Sequence, residues 1–349
     1  MKPCKHLLVS AFLLLPINAT NAADKLPAID ARIDNTSVSG LSSGAFMTSQ
    51  FFIAYSSIMK GAGIIAGGPY LCAQSWPLNS YIINATTACM NPFTPAVGPN
   101  TPLLIEKTVA LSESGKIDDI ENIKESRIYL FSGKNDKTVT TMVMDQTLNY
   151  YKQLGVQDSA ILYNKSVNAG HAAITNHLDD SLCKKTTAPY INNCDIYQSK
   201  RILNHIYPDL NEPATELSAS PIAFDQTEFI DQENTSMSDT GYVYIPEQCQ
   251  SDNTCSIHVV FHGCEQGAEV IGNKYYTTTG YNEVADANDF IILYPQANPS
   301  PKAPYNPKGC WDFWGYTSPL EAKPDYYSKT SPQVSAVYRM VERLAQDRS

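Results

Sequence analysis

Positive charge is scarce in this 349-residue chain. It has 25 Lys and Arg residues against 35 Asp and Glu, which gives a formal net charge of -10 at pH 7, and only 17% of its residues are charged. Binding to nucleic acid or to an anionic membrane depends on clustered basic side chains. The composition therefore argues against both kinds of partner.

The chain also lacks an apolar run long enough to cross a bilayer, which needs about 20 residues. Its most apolar stretch, residues 7–17, follows Lys2 and Lys5 and precedes small residues around Ala22, the order found in a secretory signal peptide. We expect residues 1–23 to be removed. Residues 24–349 are then predicted to form one domain, secreted as a monomer without a membrane anchor, extracellular or, in a Gram-negative cell, periplasmic.

A metal-binding cysteine pattern is absent as well. The chain has no C-x-x-C pair, and its histidines do not cluster with its cysteines, so we expect no metal. Of nine cysteines, Cys4 lies in the predicted leader, which leaves an even number for an oxidising compartment. Sequence alone permits on the order of a hundred pairings. Local spacing favours the pairs Cys72–Cys89, Cys183–Cys194 and Cys249–Cys255, which leaves Cys264–Cys310.

Near its start the chain carries the motif G-x-S-x-G at residues 40–44. The motif follows a β-like run at 35–39 and precedes an apolar helical run at 45–55. In a strand–turn–helix setting this motif is typical of the nucleophilic serine of an α/β-hydrolase, because the glycines allow a turn sharp enough to expose the hydroxyl. Ser42 is therefore the candidate nucleophile. The alternative is an ordinary Gly/Ser turn.

Predicted strands and helices alternate along the rest of the chain. This pattern predicts an α/β fold with a mostly parallel sheet and helices on both faces. The predicted strands are 36–39, 63–66, 127–132, 160–163, 241–245, 257–261 and 290–294, and the main helices are 45–55, 141–154, 199–207 and 333–346.

The order of these parts is unusual, because several strands of a hydrolase sheet normally precede the serine. Here the buried-type strand at 257–261, which runs into His262-Gly263, comes after it. In esterases of this fold such a strand carries the loop that stabilises the oxyanion. We interpret the order as a circular permutation, with the polar segment 208–220 joining the former termini. The alternative is a domain boundary at that segment.

A serine nucleophile needs a base and an acid that orients the base, in the chain order serine, acid, histidine. Asp136 lies in the turn that follows the predicted strand 127–132, which is the position expected for the acid. The alternative is a turn aspartate that only accepts hydrogen bonds from its own backbone. The competing aspartates, which lack a preceding strand, are Asp118, Asp119, Asp179 and Asp180.

His171 is the candidate base, since it follows the next predicted strand and has small neighbours that leave the imidazole free to reach the serine. An oxyanion hole needs two backbone N–H groups, which we expect from Ser43, after the nucleophile, and from Cys264, after His-Gly. The other mature histidines fit surface, packing or loop-shaping roles; they are His177, His205, His258 and His262.

Together these motifs resemble the extracellular poly(3-hydroxybutyrate) depolymerases, and in particular the single-domain, circularly permuted kind. The shared motifs, in chain order, are G-L-S-S-G (40–44), A-G-G-P-Y (66–70), S-G-x-x-D (132–136), G-H (170–171), P-Y-I-x-N-C (189–194), T-G-Y-x-Y-x-P (240–246), H-G-C (262–264), Y-P-Q-A (294–297) and G-C-W-D (309–312). The cysteine positions also match the four pairs given above.

The resemblance implies a triad of Ser42, Asp136 and His171, oxyanion N–H groups from Ser43 and Cys264, and a substrate crevice lined by Trp311 and Trp314. Core packing beside the Cys310 disulfide is the alternative for Trp311. Lys134-Asn135 and Phe313-Trp314 depart from the family pattern without touching the triad.

The predicted function is that of a secreted serine esterase that hydrolyses poly(3-hydroxybutyrate) or a similar short-side-chain polyester, or its oligomers, without a cofactor. One alternative is a carboxylesterase acting on acetyl or feruloyl esters of polysaccharide. The other is a polymer-binding protein without catalytic activity, which would have no need for the three triad residues together.

Overall fold

Strands and helices alternate along the chain in the computed structural model, which describes residues 23–232, 235–251, 255–318 and 324–348. The predicted leader up to residue 22, with Cys4, lies outside them. The strands are β1 Arg32–Leu41, β2 Met59–Ile65, β3 Arg127–Phe131, β4 Ile161–Asn164, β5 Ala173–Thr175, β6 Ser181–Leu182, β7 Ile191–Asn193, β8 Ile222–Asp225, β9 Thr240–Tyr244, β10 Ser256–Phe261 and β11 Phe290–Tyr294. The α-helices are α1 Ser43–Ala54, α2 Tyr81–Thr86, α3 Thr101–Glu113, α4 Thr141–Gln153, α5 Gln198–Ile206, α6 Glu247–Ser251, α7 Ala268–Ile271, α8 Lys274–Thr278, α9 Tyr281–Asp286 and α10 Pro332–Ala345.

Eight of these strands form one sheet in the order β4-β3-β2-β1-β10-β11-β9-β8. The first six strands in this order, β4, β3, β2, β1, β10 and β11, are parallel to one another. Strand β9 is antiparallel to β11, and β8 is antiparallel to β9. The predicted α/β class with a mostly parallel sheet is therefore confirmed. Strand β1, which leads to Ser42, lies in the middle of the sheet although it comes first in the chain.

Both faces of the sheet are buried, because successive side chains of each strand point to opposite faces. In β3, Ile128 and Leu130 join the core that includes residues of α1 and α10, while Tyr129 and Phe131 join the core that includes residues of α5 and α9. The near-continuous apolar run of this strand, R-I-Y-L-F, follows from this two-sided burial.

The spatial neighbours of β1 fit the proposed permutation, which stays a prediction. The backbone N–H groups of Ile29 and Ala31 donate to the Leu344 carbonyl oxygen at 3.1 and 3.0 Å, so the end of α10 lies beside the lead-in to β1. The segment 208–220 contains no helix or strand. It lies beside α9 in space, because the Ala214 N–H donates to the Glu283 carbonyl oxygen at 2.9 Å.

Some elements escaped the sequence prediction. Helix α3 buries Thr101, Leu104 and Thr108, a helical spacing whose hydrophobic signal is weak because two of the three residues are threonines. Strand β8 exposes Ile222 and Ala223, so it lacks the alternation of a half-buried strand. A second sheet of three short parallel strands, in the order β5-β7-β6, was also missed.

Four disulfides staple the loops: Cys72–Cys89, Cys183–Cys194, Cys249–Cys255 and Cys264–Cys310. Among the helices that the structure describes, none has both the length and the apolar character needed to cross a membrane. The described residues also contain no group of three or more His, Cys, Asp or Glu side chains that could hold a metal ion.

Candidate active site

The turn between β1 and α1 holds Ser42 in a strained backbone conformation, with φ 58° and ψ -123°. A Cβ atom on Gly40 would lie 2.4 Å from the Gly44 carbonyl oxygen, and one on Gly44 would lie 2.4 Å from the carbonyl oxygens of Phe261 and His262. Real Cβ contacts are never this short, so the turn requires glycine at both positions. The two glycines of the motif are thus explained by close packing of β1, α1 and β10.

Asp136 and His171 form a hydrogen-bonded pair, with 2.7 Å between Asp136 Oδ2 and His171 Nδ1. Asp136 Oδ1 accepts the backbone N–H groups of Thr138 and Val139 at 2.8 and 2.9 Å. Asp136 is therefore a turn aspartate and also the partner of His171. A carboxylate that accepts from Nδ1–H leaves the other ring nitrogen, Nε2, unprotonated, as a general base requires.

Backbone contacts between two loops fix the relative position of this pair. The N–H groups of Lys134 and Asn135 donate to the carbonyl oxygens of Val167 and Ala169, both at 2.9 Å. A Cβ atom on Gly133 would lie 2.4 Å from the Ala169 carbonyl oxygen. The loop after β3 and the loop before β5 therefore behave as one unit that carries both the acid and the base.

The disulfide-linked segment around β6 and β7 supports the base from behind. The Gly170 N–H donates to the Cys183 carbonyl oxygen and the His171 N–H to Thr186 Oγ1, each at 2.9 Å. Cys183 is bonded to Cys194, which directly follows β7. The segment that joins β6 to β7 thus holds the two N–H groups that flank the Gly170 Cα, directly before the His171 side chain.

Ser42 and His171 line the same cavity of about 170 Å³, beside Gly263 and Cys264. Two of the competing aspartates have other partners: Asp118 forms an ion pair with Lys329, and Asp180 accepts a hydrogen bond from Thr175 Oγ1. The acid and base expected from the sequence are therefore the ones that the fold brings to Ser42.

Ser43 and Cys264 are the residues expected from the sequence to supply the oxyanion N–H groups. Both residues line a cavity with Ser42, and Ser43 is the first residue of α1, where the helix dipole favours negative charge. Within the described ranges, neither N–H donates to a protein acceptor. Both are free to bind a developing negative charge.

The orientation of the Cys264 N–H follows from hydrogen bonds on the preceding residue. The Ala297 N–H donates to His262 Nε2 at 3.0 Å, so the proton of this ring lies on Nδ1, which donates to the Gly263 carbonyl oxygen at 2.7 Å. Because C=O and N–H of a trans peptide point in opposite directions, this bond turns the Cys264 N–H away from His262. The Gly263 N–H is held by Gln266 Oε1 at 2.8 Å.

His262 has to be neutral to make both of these contacts. Its side chain is buried, and burial lowers the pKa of His262 to about 4, against the opposing effect of its bond to the Gly263 carbonyl. The imidazole therefore shapes the loop, the role expected from the sequence, and is unprotonated at neutral pH.

A second, larger cavity of about 1040 Å³ also opens at Ser42, and its walls are mainly apolar. Phe46 of α1 stacks on Phe313 with 4.1 Å between ring centroids, and both rings line the cavity. Tyr81 and Ile82 of α2 line the same space. The sequence motif gave no signal for these residues, except that Phe46 lies one helical turn after Ser42.

Trp314 lines the large cavity, as expected, and Asp312 shapes the loop that presents it. Oδ1 of Asp312 accepts the N–H groups of Trp314, Gly315 and Tyr316 at 3.1, 2.6 and 3.1 Å. Burial raises the pKa of Asp312, while the hydrogen bonds it accepts, first of all from Thr317, oppose the shift. The buried carboxyl thus orders the 312–317 loop.

The expectation that Trp311 lines the crevice is wrong. Its side chain is 0% exposed and packs against Phe261 and His262, with centroid distances of 4.9 and 5.5 Å. Its backbone N–H donates to Ser43 Oγ at 3.2 Å, which places the ring behind the oxyanion loop. The core-packing alternative describes this residue.

Several polar residues of the small cavity were not predicted. Tyr190 donates to Glu265 Oε2 at 3.1 Å, and Lys308 Nζ lies 3.5 Å from the same oxygen. Thr186 and Gln266 complete this wall. These residues come from three distant parts of the chain, and no local pattern links them.

Comparison with known proteins gives a consistent result, although no family model matches the chain. It is 38% identical over 341 residues to a poly(3-hydroxybutyrate) depolymerase of Delftia acidovorans, covering 96% of this chain and 65% of that protein. It is 37% identical over 310 residues to a polyhydroxybutyrate depolymerase of Talaromyces funiculosus, covering 84% of this chain and 86% of that protein. The chain thus spans about two thirds of the first relative and most of the second.

Two solved structures are similar over almost their whole length. One is a PHB depolymerase from Penicillium funiculosum, with a TM-score of 0.81, 32% identity and coverage of 92% of this chain and 98% of that one. The other is a PHB depolymerase variant in complex with an R3HB trimer, with a TM-score of 0.80, 31% identity and the same coverage.

Proposed function

This chain belongs to the poly(3-hydroxybutyrate) depolymerase family of carboxylic ester hydrolases, and from that premise we propose that it hydrolyses poly(3-hydroxybutyrate), or a similar short-side-chain polyester, through an acyl-enzyme on Ser42. The observation that carries the proposal is the hydrogen-bonded pair of Asp136 and His171, which shares a cavity with a serine on a strained turn. A polymer-binding protein has no use for this arrangement.

In the first half of the reaction, Ser42 Oγ attacks the ester carbonyl carbon while His171 Nε2 takes the hydroxyl proton. Asp136 stabilises the imidazolium that forms. The carbonyl oxygen becomes an oxyanion and accepts the N–H groups of Ser43 and Cys264, each of which contributes about 3–4 kcal/mol to transition-state stabilisation in enzymes of this kind. The intermediate collapses as His171 gives its proton to the leaving alkoxide, which breaks the ester C–O bond.

In the second half, water attacks the acyl-enzyme and His171 takes a proton from it. A second tetrahedral intermediate forms in the same oxyanion hole. Its collapse breaks the bond to Ser42, and His171 returns the proton to Oγ. The products are an alcohol-ended fragment and a carboxylate-ended fragment, and the enzyme is regenerated without a cofactor.

The large cavity suits an aliphatic polyester, because its walls are mainly apolar and the repeat unit carries a methyl branch. We assign Trp314 to contact with the polyester, since this side chain lines the large cavity on an ordered loop. The R3HB trimer bound to the similar solved enzyme supports an oligomeric hydroxyalkanoate as ligand.

We also propose that residues 24–349 act as a single catalytic domain, secreted as a monomer without an anchor. Four disulfides support an oxidising compartment, where such bonds persist.

The test is the loss of turbidity of an amorphous poly(3-hydroxybutyrate) suspension with wild-type protein and with Ser42→Ala as control. Clearing by the wild type only, with release of 3-hydroxybutyrate or its oligomers, is the expected result. Release of acetyl or feruloyl groups from esterified xylan without clearing would assign a polysaccharide esterase instead. Adsorption without any hydrolysis would leave only a binding protein.

A further inference from the structure

The two cavities that meet at Ser42 differ in chemistry. The large one is walled mainly by apolar side chains, and the region that supplies much of that wall, residues 61–105, contains no charged residue. The small one is also walled mainly by apolar atoms, but its lining includes the carboxylate of Glu265 and the hydroxyl groups of Thr138, Thr186 and Tyr190. Lys308 lines both cavities.

The catalytic histidine decides which part of the substrate enters which cavity. His171 lines the small cavity and is not among the residues that line the large one. Because the histidine must protonate the leaving oxygen, the alcohol-side fragment has to lie next to it. The acyl-side fragment then lies in the large apolar cavity.

The size of the small cavity fits a short leaving fragment. Its volume of about 170 Å³ corresponds to roughly six water-sized volumes. One repeat unit of poly(3-hydroxybutyrate) has six heavy atoms, so about one unit fills the space. The carbonyl end of that unit then reaches the mouth of the cavity. When the unit is the last one of the polyester, this end is a free carboxylate.

Three lysines either line the small cavity or directly precede a residue that lines it, in a protein whose net charge is -10. Lys308 lines the cavity with a 63% exposed side chain, and the exposed Lys137 and Lys185 directly precede the lining residues Thr138 and Thr186. Among the described residues, no carboxylate lies within ion-pair distance of Lys137 or Lys185.

Glu265 is the acidic group in the same wall, and it is already engaged. It accepts a hydrogen bond from Tyr190 and lies 3.5 Å from Lys308 Nζ, while Asp136 is buried and paired with His171. An ammonium group has three donors, so Lys308 keeps donors for a second carboxylate. The lining charges of Lys308 and Glu265 balance, and Lys137 and Lys185, next to lining residues in the sequence, add positive charge nearby.

We propose that the small cavity binds the leaving hydroxyacid unit and that Lys308, in the field of Lys137 and Lys185, binds the carboxylate at its end. This inference rests on the proposed function. It predicts that the enzyme cleaves oligomers preferentially at the ester bond nearest the carboxyl end, releasing the terminal hydroxyacid.

The experiment compares cleavage of the internal ester bonds in the linear 3-hydroxybutyrate trimer and in its methyl ester, which replaces the terminal carboxylate by an uncharged ester. We expect kcat/KM to be about tenfold higher for the acid at low ionic strength, with the carboxyl-terminal unit as the first product by mass spectrometry. Lys308→Gln should bring the ratio of the two values close to one, whereas Lys308→Arg, which keeps the charge, should preserve most of it. The double variant Lys137→Gln/Lys185→Gln, like 0.5 M NaCl, should lower the ratio severalfold.

Lys124→Gln is the matched control, because Lys124 is a partly exposed lysine that lines neither cavity and pairs with Glu121. It should keep the wild-type ratio. Equal cleavage of acid and methyl ester by the wild type, or a ratio unchanged in Lys308→Gln, would overturn the inference while leaving the proposed function standing. Hydrolysis of neither oligomer would overturn the proposed function itself.

Discussion

The serine turn and the acid–base loops are held in place by different physical means. At the turn, backbone atoms of three elements approach so closely that no side chain fits at Gly40 or Gly44. At the acid–base loops, Asp136 and His171 are positioned by hydrogen bonds between loops and by the neighbouring disulfide Cys183–Cys194. Steric exclusion fixes the first region, and polar and covalent links fix the second.

This difference determines which kind of change each region tolerates. An added methyl group damages the serine turn, because packed backbone cannot move away. In the acid–base loops even a substitution of equal size can abolish activity. The essential property there is which atom donates a hydrogen bond and which atom accepts it.

Asp136→Asn should reduce kcat most while leaving the fold intact. An asparagine can still accept from Thr138 and Val139 through its oxygen, but it then presents an N–H₂ group to His171 Nδ1. Nδ1 must become the acceptor, which places the proton on Nε2 and removes the base. We expect a fall in kcat of roughly 10³–10⁴-fold, the size seen when a triad aspartate is amidated.

The measurement is the hydrolysis of a soluble aryl butyrate, with thermal unfolding of the same preparation as the control for folding. Activity within tenfold of wild type would show that Asp136 does not set the protonation of His171.

Gly44→Ala tests the packing of the serine turn. The added Cβ would lie 2.4 Å from the carbonyl oxygens of Phe261 and His262, so β10 and the oxyanion loop have to shift. Overpacking typically destabilises by about 1–3 kcal/mol, and a displaced oxyanion donor lowers kcat about 10²-fold or more.

Gly98→Ala is the matched control for Gly44→Ala. Gly98 has φ -76°, and a Cβ atom there would meet its nearest neighbour at 3.3 Å. Urea unfolding and aryl ester hydrolysis should be nearly unchanged in this variant. Equal effects of the two substitutions would argue against steric control of the turn.

Low pH should destabilise the fold around the serine turn, because two histidines are buried there. Burial lowers the pKa of His258 to about 3 and that of His262 to about 4, from an ordinary value of 6.5. The two ring nitrogens of His258 form hydrogen bonds with the hydroxyl groups of Ser37 and Ser39 in β1. The unfolded chain binds these protons more readily than the folded protein. The free energy of unfolding is therefore highest above pH 6.5 and decreases as the pH falls from 6.5 towards 4 and 3.

At pH 5 the loss should be on the order of 2 kcal/mol for each histidine. Urea unfolding between pH 7 and pH 5 measures it, and the slope should correspond to an uptake of about two protons on unfolding. A free energy of unfolding that stays constant over this range would contradict the neutral assignment of both rings.

Removing the Cys183–Cys194 disulfide should affect the acid–base loops more than the rest of the molecule. A bridge of this length contributes about 2–3 kcal/mol in the chain-entropy description. The Cys183→Ala/Cys194→Ala variant should lose stability and also show faster amide exchange at Gly170 and His171, whose N–H groups bond to this segment.

The corresponding variant of Cys249–Cys255, whose residues line neither cavity, is the control. It should lose stability without a change at Gly170 and His171. The same exchange pattern in both variants would remove the disulfide from the account of how the base is positioned.

The predictable part of the site follows from this comparison. The serine turn was found from five residues because its backbone geometry demands glycine at fixed positions, and a local demand leaves a local motif. Asp136 and His171 were found because strand ends of a parallel sheet meet at one edge. Strand β11 was predicted at its observed bounds because burial on both faces makes its residues continuously apolar.

The unpredicted part depends on tertiary contacts. Whether Trp311 faces the crevice or the core is decided by its neighbours Phe261 and His262, which lie about 50 residues earlier in the sequence. The small cavity brings Tyr190, Glu265 and Lys308 together from three segments. No periodicity within any one of these segments reports on the other two.

The central claim is that Ser42 is the nucleophile that His171 activates, and covalent labelling tests it most directly. The mature, oxidised protein is treated with a fluorophosphonate, and the modified residue is identified by peptide mass spectrometry. We expect a single adduct on Ser42, formed much more slowly in Asp136→Asn and absent in Ser42→Ala. An adduct at another residue, or labelling that persists in Ser42→Ala, would contradict it.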